Sequence, residues 1–130
     1  MFKKTTLITL IISFLLPQIA QAAINRDTLT GGALGILQCQ HTRGDKTRMV
    51  WKLIVNDASK PINAINFRLK TNGEVRDIYS AVIPPTVDYQ TFEIFDGLQK
   101  QVTISGEAYN ISLSGVYRYS LRKPLSVQCN

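Results

Sequence analysis

Histidine and cysteine are scarce in this chain: His41 stands alone, and Cys39 and Cys129 are the only thiols among 130 residues. One imidazole excludes any site built on two histidines, and two thiols are too few for a four-cysteine zinc site. No Gly-x-Ser-x-Gly elbow accompanies His41, so a hydrolase triad lacks a recognisable nucleophile. Long apolar runs are equally rare. The longest, Leu7 to Leu16, falls short of the roughly 20 residues that cross a bilayer as a helix. Internal repeats, low-complexity stretches and long runs of like charge are missing too, so nothing marks a second domain or a nucleic-acid footprint.

What is present starts with an export pattern. Lys3 and Lys4 precede the apolar run, Pro17 breaks it, and Ala20-Gln21-Ala22 is the small-residue pattern that a signal peptidase reads. Residues 1–22 are therefore expected to be removed, leaving residues 23–130 as one β domain with no transmembrane segment, periplasmic or secreted. No cysteine follows the cleavage point to carry a lipid anchor. In an oxidising compartment Cys39 and Cys129 are expected to pair, closing a loop of about 90 residues and contributing about 4–5 kcal/mol in the loop-entropy account. Without Lys3 and Lys4 the formal charge falls from +6 to +4, which favours anionic surfaces only mildly.

From Ala33 onward apolar residues repeat with period two and turn residues recur every eight to twelve positions, the pattern of consecutive antiparallel strands. Met49, Trp51, Leu53 and Val55 form one face, as do Ile65, Phe67 and Leu69. Asn72-Gly73 predicts a type I′ hairpin that sets Phe67 opposite Ile78 and Arg68 opposite Asp77. Pro84-Pro85 is expected to end that strand. Asp96-Gly97 predicts a second hairpin with Phe95 against Leu98 and Glu93 against Lys100. Tyr109, Ile111 and Leu113, then Val116, Tyr117 and Tyr119, are expected in central strands, and Leu125, Val127 and Cys129 on one face of a last short strand. Ala23 to Gly32 reads as an N-terminal arm or a short helical turn. About eight strands in meander order predict an all-β fold, a small antiparallel up-and-down barrel closed by the disulfide, with an open β-sandwich as the alternative.

Candidate chemistry is sparse. Glu74, Glu93, Glu107 or an aspartate could supply a glycosidase-like carboxylate pair, but a domain of this length has little room for a cleft around several sugars. Arg43-Gly44-Asp45 is a tripeptide that integrins read, and its residues are equally those of a hairpin turn. Asn110-Ile111-Ser112 matches a glycosylation sequon inside an expected strand. Arg43, Lys46 and Arg48 near the first turn, with Arg118, Arg122 and Lys123 near the last, form a candidate binding patch if the first and last strands are neighbours. Arg118 lies between Tyr117 and Tyr119, and aromatic faces beside guanidinium groups recur in sugar and anion recognition.

Ser105-Gly106-Glu107-Ala108-Tyr109 resembles the Ser-Gly-x-x-Tyr loop of bacterial periplasmic and membrane-bound inhibitors of c-type lysozyme, small barrels with cysteines in early and final strands. The resemblance implies an inhibitory loop in which Ser105 and Tyr109 are the matching residues. The chain departs from that family in the long stretch between Cys39 and Ser105, in lacking a downstream Lys-Gly loop, and in its positive charge, which opposes steering toward a basic enzyme. The residues together predict an exported, non-catalytic binding or accessory protein of the bacterial envelope, without cofactor or metal. Its expected partner is an envelope or host protein or an anionic glycan or lipid surface, and not a nucleic acid. A lysozyme-inhibitor-like protein and a small barrel holding a lipid-like ligand are the alternatives.

Overall fold

A computed structural model describes residues 22–130, so the expected export signal lies outside the described residues except for Ala22. Every regular element among them is a strand: β1 (Ala23–Leu29), β2 (Ala33–Thr42), β3 (Lys46–Val55), β4 (Ile62–Lys70), β5 (Val75–Thr86), β6 (Asp88–Asp96), β7 (Gln101–Ser112), β8 (Gly115–Ser120) and β9 (Leu125–Gln128). The all-β class holds. The strands form two antiparallel sheets, β1-β2-β3-β6 and β5-β4-β7-β8, with β9 on β7 beyond the end of β8. They pack as the sandwich. The meander and the closed barrel do not form, because consecutive strands β5 and β6 lie in different sheets.

Alternation explains which faces meet. Leu37, Met49, Trp51 and Leu53 point inward from the first sheet, and Phe67, Leu69, Ile104 and Tyr119 from the second, all fully buried. Full burial of such a side chain contributes about 1.5–3 kcal/mol. Trp51 and Phe67 meet edge to face at 5.5 Å between centroids, across the two sheets. Gly35 is required beneath the indole, since a Cβ there would lie 2.4 Å from Cη2 of Trp51. The indole Nε1–H finds no hydrogen-bond partner among the described residues.

The disulfide joins the sheets along one side. Cys39 is fully buried within β2 and Cys129 follows β9, with Cα atoms 4.7 Å apart. The backbone N–H of His41 donates to Asn130 O, and the Asn25 side-chain amide donates to Ser126 O at 2.8 Å, so β1 and β2 lie along β9.

Several local expectations change. Ala23 to Leu29 is neither arm nor helix but strand β1, paired with β2 from Ala23↔Cys39 to Leu29↔Ala33. The register Phe67↔Ile78 and Arg68↔Asp77 forms as expected, although neither Asn72 nor Gly73 takes a positive φ, so the turn is not type I′. Pro84-Pro85 does not end β5. Because β5 is an edge strand its outward backbone needs no partner, and the ladder resumes at Ile62↔Thr86 after a bulge opposite Asn63.

Asp96-Gly97 makes a crossing between sheets instead of a hairpin. Buried Thr47 explains it: its hydroxyl donates to Gly97 O at 2.8 Å and accepts from the Gln99 N–H at 2.8 Å, tying the crossing to β3. Phe95 consequently faces Thr47, and Glu93 meets Arg76 rather than Lys100.

Candidate functional site

The outward face of the β5-β4-β7-β8 sheet carries a group of polar and charged side chains around one hollow. Since Ile65, Phe67 and Leu69 point into the core, Asn66 and Arg68 must point out. The ladder sets Tyr79 opposite Asn66 and Asp77 opposite Arg68 on β5, and Ser105 opposite Arg68 on β7. Together with Gly106 and Glu107 these residues line an open hollow of about 400 Å³.

Gly106 shapes the floor. Its φ of 123° suits glycine alone, and a Cβ there would lie 2.2 Å from Asn66 O. At this residue β7 exchanges β9 for β8 as its neighbour, and the Gly106 carbonyl accepts from the Leu121 N–H at 3.1 Å.

The charged groups of the hollow are paired with one another or with neighbours. Arg68 Nε donates to Asp77 Oδ1 at 2.8 Å, and this hydrogen bond, with the cation's charge, holds the Asp77 carboxyl below its ordinary value. Glu107 accepts from Arg118 at 3.2 Å and from the Ser120 hydroxyl at 3.3 Å. Tyr79 stands over the hollow with 79% of its surface exposed, a ring available for stacking.

The basic residues do not converge on one rim. Lys123 lies beside Asn25, Arg26 and Asp27 with the strand β9 that follows it, and Arg122 immediately precedes it. Arg26 faces Ile36 in β2, and Arg43 stands seven residues further along, roughly 23 Å at strand rise. Arg43, Gly44 and Asp45 form the exposed β2–β3 turn, where Gly44 and Asp45 take the positive φ that the turn needs. Lys46 is bound to Asp96 at 2.7 Å, and Arg48 covers Phe92 at 5.2 Å from the ring centroid. The patch is divided along β2: Cys129 meets Cys39 within that strand, so Lys123, at the start of β9, lies toward one end and Arg43 beyond the other.

Ser105 to Tyr109 is a strand, not a loop. Ser105 and Tyr109 pair with Arg68 and Ala64 of β4, and Tyr109 pairs with Arg118 of β8 on its other side. The segment thus has no free length to enter an enzyme cleft, although Ser105 does line the hollow. Tyr109 lies under Arg118, 5.5 Å from ring centroid to guanidinium carbon.

His41 is half-buried, and its Nε2–H donates to Gln99 O at 2.7 Å, a structural role at the sheet crossing. Glu74 and Glu93 both bind Arg76, away from the hollow. Asn110-Ile111-Ser112 lies at the end of β7. No cluster of three or more metal-ligating side chains occurs among the described residues, and no helix among them is long and apolar enough to cross a membrane. Sequence reasoning missed Asn66, Arg68, Asp77 and Tyr79 as site residues. The Phe67↔Ile78 register contained their placement, since it puts all four on the face opposite the core.

No protein-family model matches the chain, and no curated protein matches it. Among solved structures it is similar to one described as the X-ray structure of Northeast Structural Genomics Consortium target SoR45, at 13% identity over 82% of each chain. The TM-score is 0.41, an overlap too loose to carry any inference.

Proposed function

We propose that this protein is an exported, non-catalytic binding protein of the bacterial envelope, and that its ligand is a saccharide held in the hollow over Gly106. The observation that carries this reading is the exposed Tyr79 ring beside Asn66, Arg68, Asp77, Ser105 and Glu107. Sugars present adjacent hydroxyls that both donate and accept, and planar carboxylate, amide and guanidinium groups meet such pairs two bonds at a time. Their C–H faces stack on an aromatic ring, which Tyr79 offers. One cation and two carboxylates within the hollow suit a neutral sugar better than the anionic ligand suggested by overall charge. The ion pairs Arg68–Asp77 and Arg118–Glu107 already orient these groups toward the hollow.

The hydrogen bond and charge of Arg68 hold the Asp77 carboxyl below its ordinary value, so Asp77 is offered to sugar hydroxyls as an ionised acceptor. The sandwich interior, filled by Trp51, Phe67, Phe95 and Tyr119, gives no support to a lipid-like ligand inside the fold. The disulfide suits an oxidising compartment.

The test is a glycan array of peptidoglycan fragments and neutral and acidic oligosaccharides, probed with mature protein. Binding that Tyr79→Ala abolishes and Tyr79→Phe retains is expected, with the bound glycan recovered unchanged in mass. Folded protein that retains no glycan, or that cleaves one, would overturn the reading.

A further inference from the structure

Two stretches without a charged residue, 78–87 and 108–117, come together at one end of the same sheet. In the first, Val82 to Pro85 bulge out opposite the single residue Asn63, and Ile83 is left 89% exposed. In the second, β7 and β8 run past the last β4 pair at Ala64↔Tyr109, so the hairpin overhangs the sheet. The Asn63 side chain braces it, accepting from the Ile111 N–H and donating to Ile111 O, each at 2.8 Å.

The braced overhang exposes Leu113 completely and Ile111 and Val116 by half. Ile83, Pro85 and Ile111 line one hollow of about 510 Å³ between the bulge and the hairpin. Isolated exposed aliphatics are ordinary, but four on two adjacent projections form a patch that asks for an apolar partner.

Behind the tip the chemistry changes in one step. Lys60 Nζ lies 3.9 Å from the ring centroid of Tyr117, and Arg118 covers Tyr109. Tyr79 stands beside the same hollow. An uncharged aliphatic tip backed by tyrosines and cations is the order in which a peripheral protein meets a bilayer: aliphatics among the acyl chains, rings and cations at the headgroups. The excess of basic over acidic residues in the chain complements an anionic leaflet.

We propose that the protein docks on a phospholipid bilayer through the tip built from Ile83, Ile111, Leu113 and Val116, with Lys60 and Arg118 at headgroup level. The four tip side chains lie outside the hollow over Gly106, while Tyr79 lines both hollows, so the tip variants below leave Tyr79 untouched and test the docking apart from the saccharide reading.

Cosedimentation with vesicles of 70% phosphatidylethanolamine and 30% phosphatidylglycerol tests it, using mature protein with its disulfide intact. Wild type should sediment with the vesicles, and Ile83→Ser with Leu113→Ser should lower partitioning by on the order of tenfold or more, given the apolar area withdrawn from lipid. Both positions are solvent-exposed, so an unchanged melting temperature verifies that the double variant is folded. Leu113→Trp, excited in a Trp51→Phe background, should shift to shorter wavelength on adding vesicles and be quenched by brominated lipid. No sedimentation of wild type, equal sedimentation of the double variant, or a Leu113→Trp emission that ignores lipid would overturn the proposal. So would a dimer that forms without lipid and dissociates in the double variant, since the tip would then serve self-association.

Discussion

Arg76 of β5 lies over Phe95 of β6, with the guanidinium carbon 4.3 Å from the ring centroid, so a cation on one sheet caps a core aromatic of the other. The same side chain binds Glu74 and Glu93 and donates to Ile94 O at 3.2 Å. Arg76 thus clasps the two free edges on the side away from the disulfide. Its contribution should be moderate, because about a third of the side chain remains exposed. Arg76→Ala is expected to lower unfolding stability by about 1–2 kcal/mol, with Arg76→Lys intermediate. Urea denaturation decides this, and equal midpoints would count against the clasp.

The opposite clasp is covalent. Cys39→Ser with Cys129→Ser should cost about 4–5 kcal/mol, an upper figure where the reduced chain keeps residual structure. The strand pairings should survive, since none depends on the bond. Guanidinium titration gives the cost, and amide exchange of the folded double variant reports the ladders.

Gly106 and Gly35 should be the least replaceable glycines for different reasons. Alanine at 106 meets both an unfavourable φ and the Asn66 carbonyl, while alanine at 35 drives a methyl into Trp51. We expect each to cost about 2–4 kcal/mol, and Gly44→Ala, in open space though at positive φ, to cost about 1 kcal/mol. Thermal melts of the three variants rank them, and a Gly44→Ala loss equal to that of Gly106→Ala would contradict the packing argument.

Alkali should weaken the fold through Tyr119. Burial raises the pKa of its hydroxyl, with smaller contributions from Tyr117 and Asp57, and that hydroxyl donates to Lys60 O at 2.6 Å. A raised folded pKa means that the native state holds the proton more tightly. The stabilisation is therefore complete below the unfolded value, about 10, and is lost as pH climbs through the higher folded one. Tyr119→Phe should lose about 1 kcal/mol near neutrality by stranding the carbonyl, yet show a shallower decline between about pH 9 and 11. Tyr89, raised mainly by burial, keeps some slope in the variant. Parallel decline of both proteins would remove Tyr119 from the account.

Local patterns made part of this legible. Phe67, Leu69, Met49 and Trp51 announced their faces by alternation, and the opposite-charge pair Arg68–Asp77 agreed with the apolar register. The Cys39–Cys129 pairing followed from an even thiol count behind an export pattern. What stayed hidden depended on neighbours distant in sequence. Asp96-Gly97 carries the same local chemistry whether a chain reverses within a sheet or crosses between two, and only Thr47 decides it. Ile111 and Leu113 alternate as core residues do, but it is Ala108 that points into the core, so Ile111 falls on the outward face and Leu113 in the hairpin turn beyond it. Asn66 and Tyr79 are unremarkable in sequence and become a site only when two strands set them side by side.

The central claim, a saccharide site over Gly106, is tested most directly by titrating ¹⁵N-labelled mature protein with the best-retained glycan and mapping amide shifts. Saturable shifts centred on Asn66, Arg68, Asp77, Tyr79, Ser105 and Glu107, absent in Tyr79→Ala, are the predicted result. Shifts centred instead on the outward face of β1, β2, β3 and β6, or no saturable shift at all, would contradict it.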